Sequence, residues 1–267
     1  MATLRVNGID VHVQRMGGSG DAARPVVVLI HGMLIDSLAS YYFSLAPQLA
    51  EEGMDVVMYD LRGHGKTSRP PTGYRMEDFV RDLDGLLDAL AVNRPVHLVG
   101  NSFGGAIAYA MAAAHPERVA SVIAIEAEPP ARAWAQSMYD GLVGEEGGLV
   151  VREVTQWLRE NPGERNARPF RAAGRVLDET ALAQEIPLSS LLDDDLSAIR
   201  CPVFAVFGGA SKLAAQTGML EASLAHCRTV VLPGLGHSVL VEATKETYAL
   251  VRDWLLGQEA HALREAR

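Results

Sequence analysis

The chain has 267 residues, 24 Lys and Arg against 33 Asp and Glu for a net charge of −9, and a hydrophobic fraction of 48%. That is enough chain for a substantial core and a pocket in one or two domains, and it is too apolar to be disordered throughout. The acidic balance works against sequence-independent binding to nucleic acid or anionic lipid, both of which draw on a surplus of cations, and leaves small molecules or proteins as partners. Cys201 and Cys227 stand outside any CxxC or clustered histidine pattern, so neither a disulfide framework nor a zinc site is indicated, and no cofactor is called for. No stretch has the signal-peptide pattern or approaches 18 apolar residues. The expectation is a cytoplasmic protein, monomer or homodimer, acting on a small molecule.

Short β-rich runs alternate with longer helical ones, the pattern of a parallel sheet covered on both faces. Strands are predicted at Thr3–Asn7, Ile9–Arg15, Pro25–Ile30, Asp55–Tyr59, Pro95–Gly100, Ala120–Ile125, Pro202–Phe207 and Arg228–Leu232. Asn7-Gly8 joins the first two as a tight antiparallel hairpin at the sheet edge. The later runs, such as Val26-Val27-Val28-Leu29-Ile30, are continuously apolar and fit strands buried on both faces. Between them, Met76, Phe79, Val80, Leu83, Leu86, Leu87 and Leu90 recur at helical spacing, with Glu77, Asp78, Arg81, Asp82, Asp84 and Asp88 on the opposite face. Gly104 to Ala114 is built from small residues and suits a helix lying close on the sheet.

From Pro129 to Leu196 the rhythm stops. These residues hold 12 acidic and 7 basic side chains, and their apolar bulk includes Trp134, Met138, Tyr139, Trp157, Phe170, Leu188 and Leu192. Charge outside and aromatics inside predict a helical cap over residues 129–196, inserted into a core of residues 1–128 and 197–267. After Trp254-Leu255-Leu256 the tail from Gly257 is expected to fray.

Val96-His97-Leu98-Val99-Gly100-Asn101-Ser102-Phe103-Gly104 is an apolar strand running into GxSxG and then a small-residue helix. Such a turn lifts the Ser102 hydroxyl out of the sheet as a nucleophile, with Gly100 and Gly104 small because side chains there would collide with packed elements. A serine hydroxyl needs a base, and His237, in the loop Leu232-Pro233-Gly234-Leu235-Gly236-His237 after the last strand, is the candidate. His31 and His64 precede glycines in turns and read as structural. The backbone N–H groups of Met33 and Phe103 are candidate donors to an oxyanion. Leu34, Tyr41, Tyr42, Phe103, Trp134, Met138, Trp157 and Val239 are candidate pocket residues for an apolar substrate of moderate size.

Taken together, His31-Gly32, the turn Asp60-Leu61-Arg62-Gly63-His64-Gly65, Gly100-Asn101-Ser102-Phe103-Gly104 and Gly234-Leu235-Gly236-His237 resemble the α/β-hydrolase superfamily across nearly the whole chain. The resemblance implies an α/β fold with eight mostly parallel strands, the nucleophile after strand five, the base after strand eight and a helical cap after strand six. Asp60, Arg62 and His64 would brace a turn near the nucleophile. The sequence departs from the family's usual pattern at the acid: Phe207-Gly208-Gly209-Ala210-Ser211-Lys212, after strand seven, holds no carboxylate. Strand six instead ends in Glu126-Ala127-Glu128, beside the strand bearing Ser102, and either carboxylate could reach His237. Glu126 is nearer the sheet and better held, with Glu128 the alternative. A Glu after strand six is similar to the zearalenone lactonases, and some haloalkane dehalogenases share the position but carry Asp where this chain has Ser102. These readings converge on an esterase or lactonase. The alternatives are a C–C hydrolase, a lyase or an acyl-transfer enzyme on the same residues, or a non-catalytic ligand-binding protein.

Overall fold

A computed structural model of the chain describes residues 2–18, 24–144, 148, 151–152, 156, 168–189, 192 and 196–265. The strands are β1 Ala2–Val6, β2 Ile9–Met16, β3 Val26–Ile30, β4 Asp55–Tyr59, β5 Val96–Asn101, β6 Val119–Ile125, β7 Val203–Gly208 and β8 Cys227–Leu232. They form one eight-stranded sheet in the order β1-β2-β4-β3-β5-β6-β7-β8. β1 and β2 pair antiparallel, as do β2 and β4, and the remaining pairs from β4 to β8 are parallel. The hairpin forms as the sequence predicts, with Val6 opposite Ile9 and positive φ at Asn7 and Gly8. Three strands begin one residue later than predicted, after Pro25, Pro95 and Pro202. Proline has no N–H to give the ladder, so pairing starts at the next residue.

Among the described residues, the helices are α1 Ala39–Tyr42, α2 Leu45–Glu51, α3 Met76–Ala89, α4 Phe103–Ala114, α5 Arg132–Leu142, α6 Arg168–Glu179, α7 Leu182–Glu185, α8 Thr217–Ser223, α9 Val239–Glu242 and α10 Thr244–Glu265. Two apolar layers sandwich the sheet: α3 and α4 pack on one face, α1, α2, α9 and α10 on the other. No described helix is long and apolar enough to cross a membrane.

α4 lies close enough to the sheet that its small residues are obligatory. A Cβ on Gly104 would sit 2.1 Å from the Ile30 carbonyl oxygen, and one on Gly100 2.3 Å from that of Gly104. Both atoms are backbone and cannot swing away. In α3 the apolar stripe from Met76 to Leu87 is buried as read, but Asp78, assigned to the exposed face, is buried too, and so is Asp82. Its two oxygens accept from Arg62 Nε and Nη2, each at 2.7 Å, which neutralises the charge where water is excluded. The tail from Gly257 does not fray at once: α10 runs to Glu265, and Glu259 Oε1 lies 2.9 Å from His97 Nε2, tying the helix end to β5.

Between β6 and β7, α5, α6 and α7 depart from the strand–helix alternation. Glu185 accepts from the Gly73 N–H at 2.7 Å, the Ser189 hydroxyl accepts from the Met76 N–H at 2.7 Å, and Arg69 pairs with Glu179 at 2.8 Å. These contacts dock the insertion on the loop before α3. Trp134 and Leu192 are buried, whereas Tyr139 and Leu188, expected inside, are 47% and 60% exposed.

Gly104→Ala places a methyl group on the Ile30 carbonyl, so it is expected to destabilise the fold by about 1–3 kcal/mol or more, read as a lowered midpoint in thermal denaturation followed by circular dichroism.

Candidate active site

The carboxyl ends of β5, β6, β7 and β8 lie side by side, and each delivers one part of the site. Ser102 follows β5 and precedes α4 with φ 51° and ψ −120°, a conformation that turns the chain sharply and is costly outside glycine. Its N–H is fixed to the Ile125 carbonyl at 2.9 Å. Glu126 follows β6, also at positive φ, 50°, with its N–H donating to the Val206 carbonyl at 2.8 Å. His237 follows β8, past the turn at Gly234, and its side chain is 58% exposed.

These three side chains form one chain of hydrogen bonds. His237 Nε2 lies 3.1 Å from Ser102 Oγ, and His237 Nδ1 lies 2.9 Å from Glu126 Oε2. An ionised carboxylate can only accept, so Nδ1 carries the proton and Nε2 is left to accept from the Ser102 hydroxyl.

Glu126 is wholly buried and reaches across the end of β7. Oε1 accepts from the Gly208 N–H, and Oε2 accepts from Ser211 Oγ at 2.7 Å as well as meeting His237. Burial is the largest single influence and pushes its pKa up. The hydrogen bonds from His237, Gly208 and Ser211 together outweigh it and hold the carboxyl below the ordinary carboxylate value. Gly208 and Ser211 were not singled out from the sequence. The available signal was the polar Ser211 in a post-strand loop without a carboxylate.

Glu128 goes elsewhere. Its Oε2 accepts from Gln216 Nε2, and burial, only partly offset by that bond, pushes its carboxyl up. It is Glu126, then, that meets His237.

A cavity of about 440 Å³ opens over Ser102 and His237. Met33, Phe103, Trp134, Met138 and Leu213 supply its apolar lining, and Glu128, Ser211 and Lys212 its polar side. Phe103 connects the Ser102 turn to this wall, stacking on Trp134 at 6.1 Å and meeting Phe79 edge-on at 5.0 Å. Four expected lining residues are corrected. Tyr41 and Val239 are fully buried in the opposite apolar layer and Tyr42 packs against that layer, because α1 and α9 face away from the cavity. Leu34 is turned into the core at φ 64°. Trp157 lies outside the described residues.

Met33 and Phe103 both line the cavity. Phe103 is the first residue of α4, where helix geometry leaves the N–H without an intrahelical acceptor and the dipole favours negative charge. The loop of Met33 is clasped by two histidines. His31 Nδ1 donates to the Gly32 carbonyl at 2.6 Å and its Nε2 accepts from the Leu61 N–H at 3.0 Å. His64 Nδ1 donates to the Arg62 carbonyl at 2.8 Å and its Nε2 accepts from the Leu34 N–H at 2.8 Å. Each ring therefore holds the other's loop. Asp60 fastens the same turn, accepting from the Leu38 and Lys66 N–H groups at 2.9 Å each. Asp36, which the sequence reading missed, takes the Gly32 N–H at 2.7 Å.

Residues 25–150 match the family described as the alpha/beta hydrolase fold. The chain is 32% identical over 252 residues to the lipase LipV of Mycobacterium tuberculosis, covering 93% of this chain and 84% of that one. It is 28% identical over 269 residues to a proline iminopeptidase of Lactobacillus helveticus, covering 87% and 90%. Its fold is similar to that of the enol-lactonase from Burkholderia xenovorans LB400, with a TM-score of 0.74 at 22% identity over 96% of this chain and 100% of that one.

Both clasp histidines must stay neutral for their Nε2 atoms to accept. Burial, helped by the neighbouring His31, pushes His64 down to about 4. Between about pH 6.5 and about pH 4 the unfolded chain takes up a proton on His64 that the folded chain refuses, so stability is lost as pH falls through that window. The thermal midpoint is expected to drop steadily from pH 6.5 to pH 4; a flat profile there would contradict a neutral His64.

Proposed function

The chain belongs to the α/β-hydrolase family, and from that premise we propose that it is a serine hydrolase cleaving a carboxylic ester or lactone of a moderately sized apolar molecule. The observation that carries this reading is the continuous path Ser102 Oγ to His237 Nε2, 3.1 Å, and His237 Nδ1 to Glu126 Oε2, 2.9 Å, opening on an apolar cavity.

In this mechanism Ser102 Oγ attacks the substrate carbonyl while His237 Nε2 takes its proton. Glu126, ionised and held by three donors, orients the ring and stabilises the imidazolium. The tetrahedral oxyanion is met by the Met33 N–H, in the loop after β3, and by the Phe103 N–H at the head of α4. The intermediate collapses as His237 returns the proton to the departing alkoxide, leaving an acyl-enzyme on Ser102. Water then attacks that ester, His237 takes the water's proton, and Ser102 leaves with a proton from the imidazolium.

Several features support an acyl substrate of this class. LipV, the proline iminopeptidase and the enol-lactonase are each named for hydrolysis at a carboxylic acyl group. A Glu after strand six is also where the chain is similar to the zearalenone lactonases, which tilts the choice toward a lactone. Residues 129–196 serve as the cap over a core of residues 1–128 and 197–267, with Trp134 and Met138 of α5 as the wall against which the substrate packs. The partner is the substrate itself, without a cofactor, a nucleic acid or a membrane.

Purified protein is expected to cleave p-nitrophenyl butyrate and to be labelled at Ser102 by a fluorophosphonate, and Ser102→Ala to lose labelling and roughly 10⁴-fold or more in rate. Full activity in that variant would remove the proposal. Glu126→Gln is expected to cost about 10³-fold or more in kcat, a far larger loss than Glu128→Gln; the reverse order would move the acid to Glu128.

A further inference from the structure

The relay leaves one carboxylate at the site without a role. Glu128 lies two residues beyond Glu126, where the chain leaves β6, and lines the same cavity as Ser102 and His237. It is only half-buried, so part of the side chain remains open. Gln216, at the N-terminus of α8, holds one of its oxygens, and the other, Oε1, takes no hydrogen bond from any described residue. A carboxylate kept beside a catalytic serine is an unfavourable choice unless something accepts its presence, because burial raises the energy of its charged form. Of the other polar groups on the wall, Glu126 is engaged by Gly208, Ser211 and His237, and the Ser211 hydroxyl by Glu126 and the Leu213 N–H, while Met33, Phe103, Trp134, Met138 and Leu213 offer a substrate shape and area but no hydrogen-bond acceptor on their side chains beyond the weak thioethers. Lys212 on the same cavity offsets Glu128, and Glu126 is turned to His237, so the wall gives little preference to an anionic or a cationic substrate.

We infer that Glu128, steadied by Gln216, is a specificity-determining residue that accepts a hydrogen bond from a hydroxyl or amide N–H on a neutral acyl substrate, away from the scissile carbonyl. The substrate class is thereby narrowed from apolar esters to esters or lactones carrying one such donor. This rests on the proposed hydrolysis at Ser102. Gln216 fixes the carboxylate's position, as an acceptor that must meet a donor in one place requires, and an unmet donor on the substrate would lose its water without replacement. Hydrogen bonds to a charged acceptor are strong enough to discriminate about tenfold or more.

The experiment pairs p-nitrophenyl esters of ω-hydroxy acids from three to six carbons with their ω-methoxy counterparts, which match them in reach but cannot donate. The wild type is expected to prefer the hydroxy member in kcat/KM by about tenfold or more at one chain length at least, and Glu128→Leu to bring that ratio near unity. Glu128→Gln, which keeps the size and can still meet Gln216, is expected to retain only part of the preference. A ratio near unity throughout the wild-type series, or a preference that survives in Glu128→Leu, would overturn the inference. Calorimetric binding of the same pairs to Ser102→Ala, with and without Glu128→Leu, reads the preference without turnover. Loss of turnover and fluorophosphonate labelling in the wild type would thus count against the hydrolase, while the binding ratio still decides the role of Glu128.

Discussion

A buried carboxylate is stable only where donors replace the water it has lost, and Glu126 has three: the Gly208 N–H, the Ser211 hydroxyl and His237 Nδ1. Each comes from beyond β6, two of them from the end of β7 and one from the loop after β8. The carboxylate therefore acts as a cross-tie over three strand ends. The direction of the relay follows from it, since an acceptor at Nδ1 fixes the proton there and turns Nε2 toward Ser102. Without Glu126, a histidine that is 58% exposed would have little to hold its ring in one orientation.

The same region stores backbone strain. Ser102 and Glu126 both adopt positive φ at the ends of adjacent strands, a conformation that costs on the order of 1–3 kcal/mol for such residues. The sheet sustains it through the Ser102 N–H bond to Ile125 and the Glu126 N–H bond to Val206, which continue the ladder past the strand ends. α4 adds its own constraint, lying so close that Gly100 and Gly104 have no room for a Cβ. Rigid packing beneath the site and sharp turns at its surface are parts of one arrangement.

Above the strand ends, two sets of contacts shape the cavity. The His31 and His64 clasp fixes the loop of Met33 through neutral, buried rings, and Asp36 and Asp60 secure its flanks. Across from it, Phe79, Phe103 and Trp134 form a line of rings from α3 through the Ser102 turn to α5. α5 is thus coupled to the serine turn by aromatic packing, although most of the chain's net charge falls within residues 129–196.

Much of this was legible from the chain alone. Alternation and apolar runs located all eight strands to within one residue, because strands buried on both faces leave an unbroken apolar signature and prolines mark their starts. GxSxG after a strand, and a histidine after the last one, singled out Ser102 and His237 by local pattern. The missing carboxylate after strand seven drew attention to Glu126 and Glu128. What the sequence could not decide was which of these two, two residues apart, turns toward His237, since that depends on the Glu126 backbone at φ 50° and on the Gly208 and Ser211 donors some 80 residues later. Nor could it separate pocket from core: Tyr41, Tyr42 and Val239 have the composition of lining residues, but their helices lie on the far face of the sheet. Local periodicity and turn chemistry are properties of neighbouring residues and can be read in order. Which side chains meet across strand ends, and which face of the sheet a helix covers, are set by long-range packing, and only the folded chain determines them.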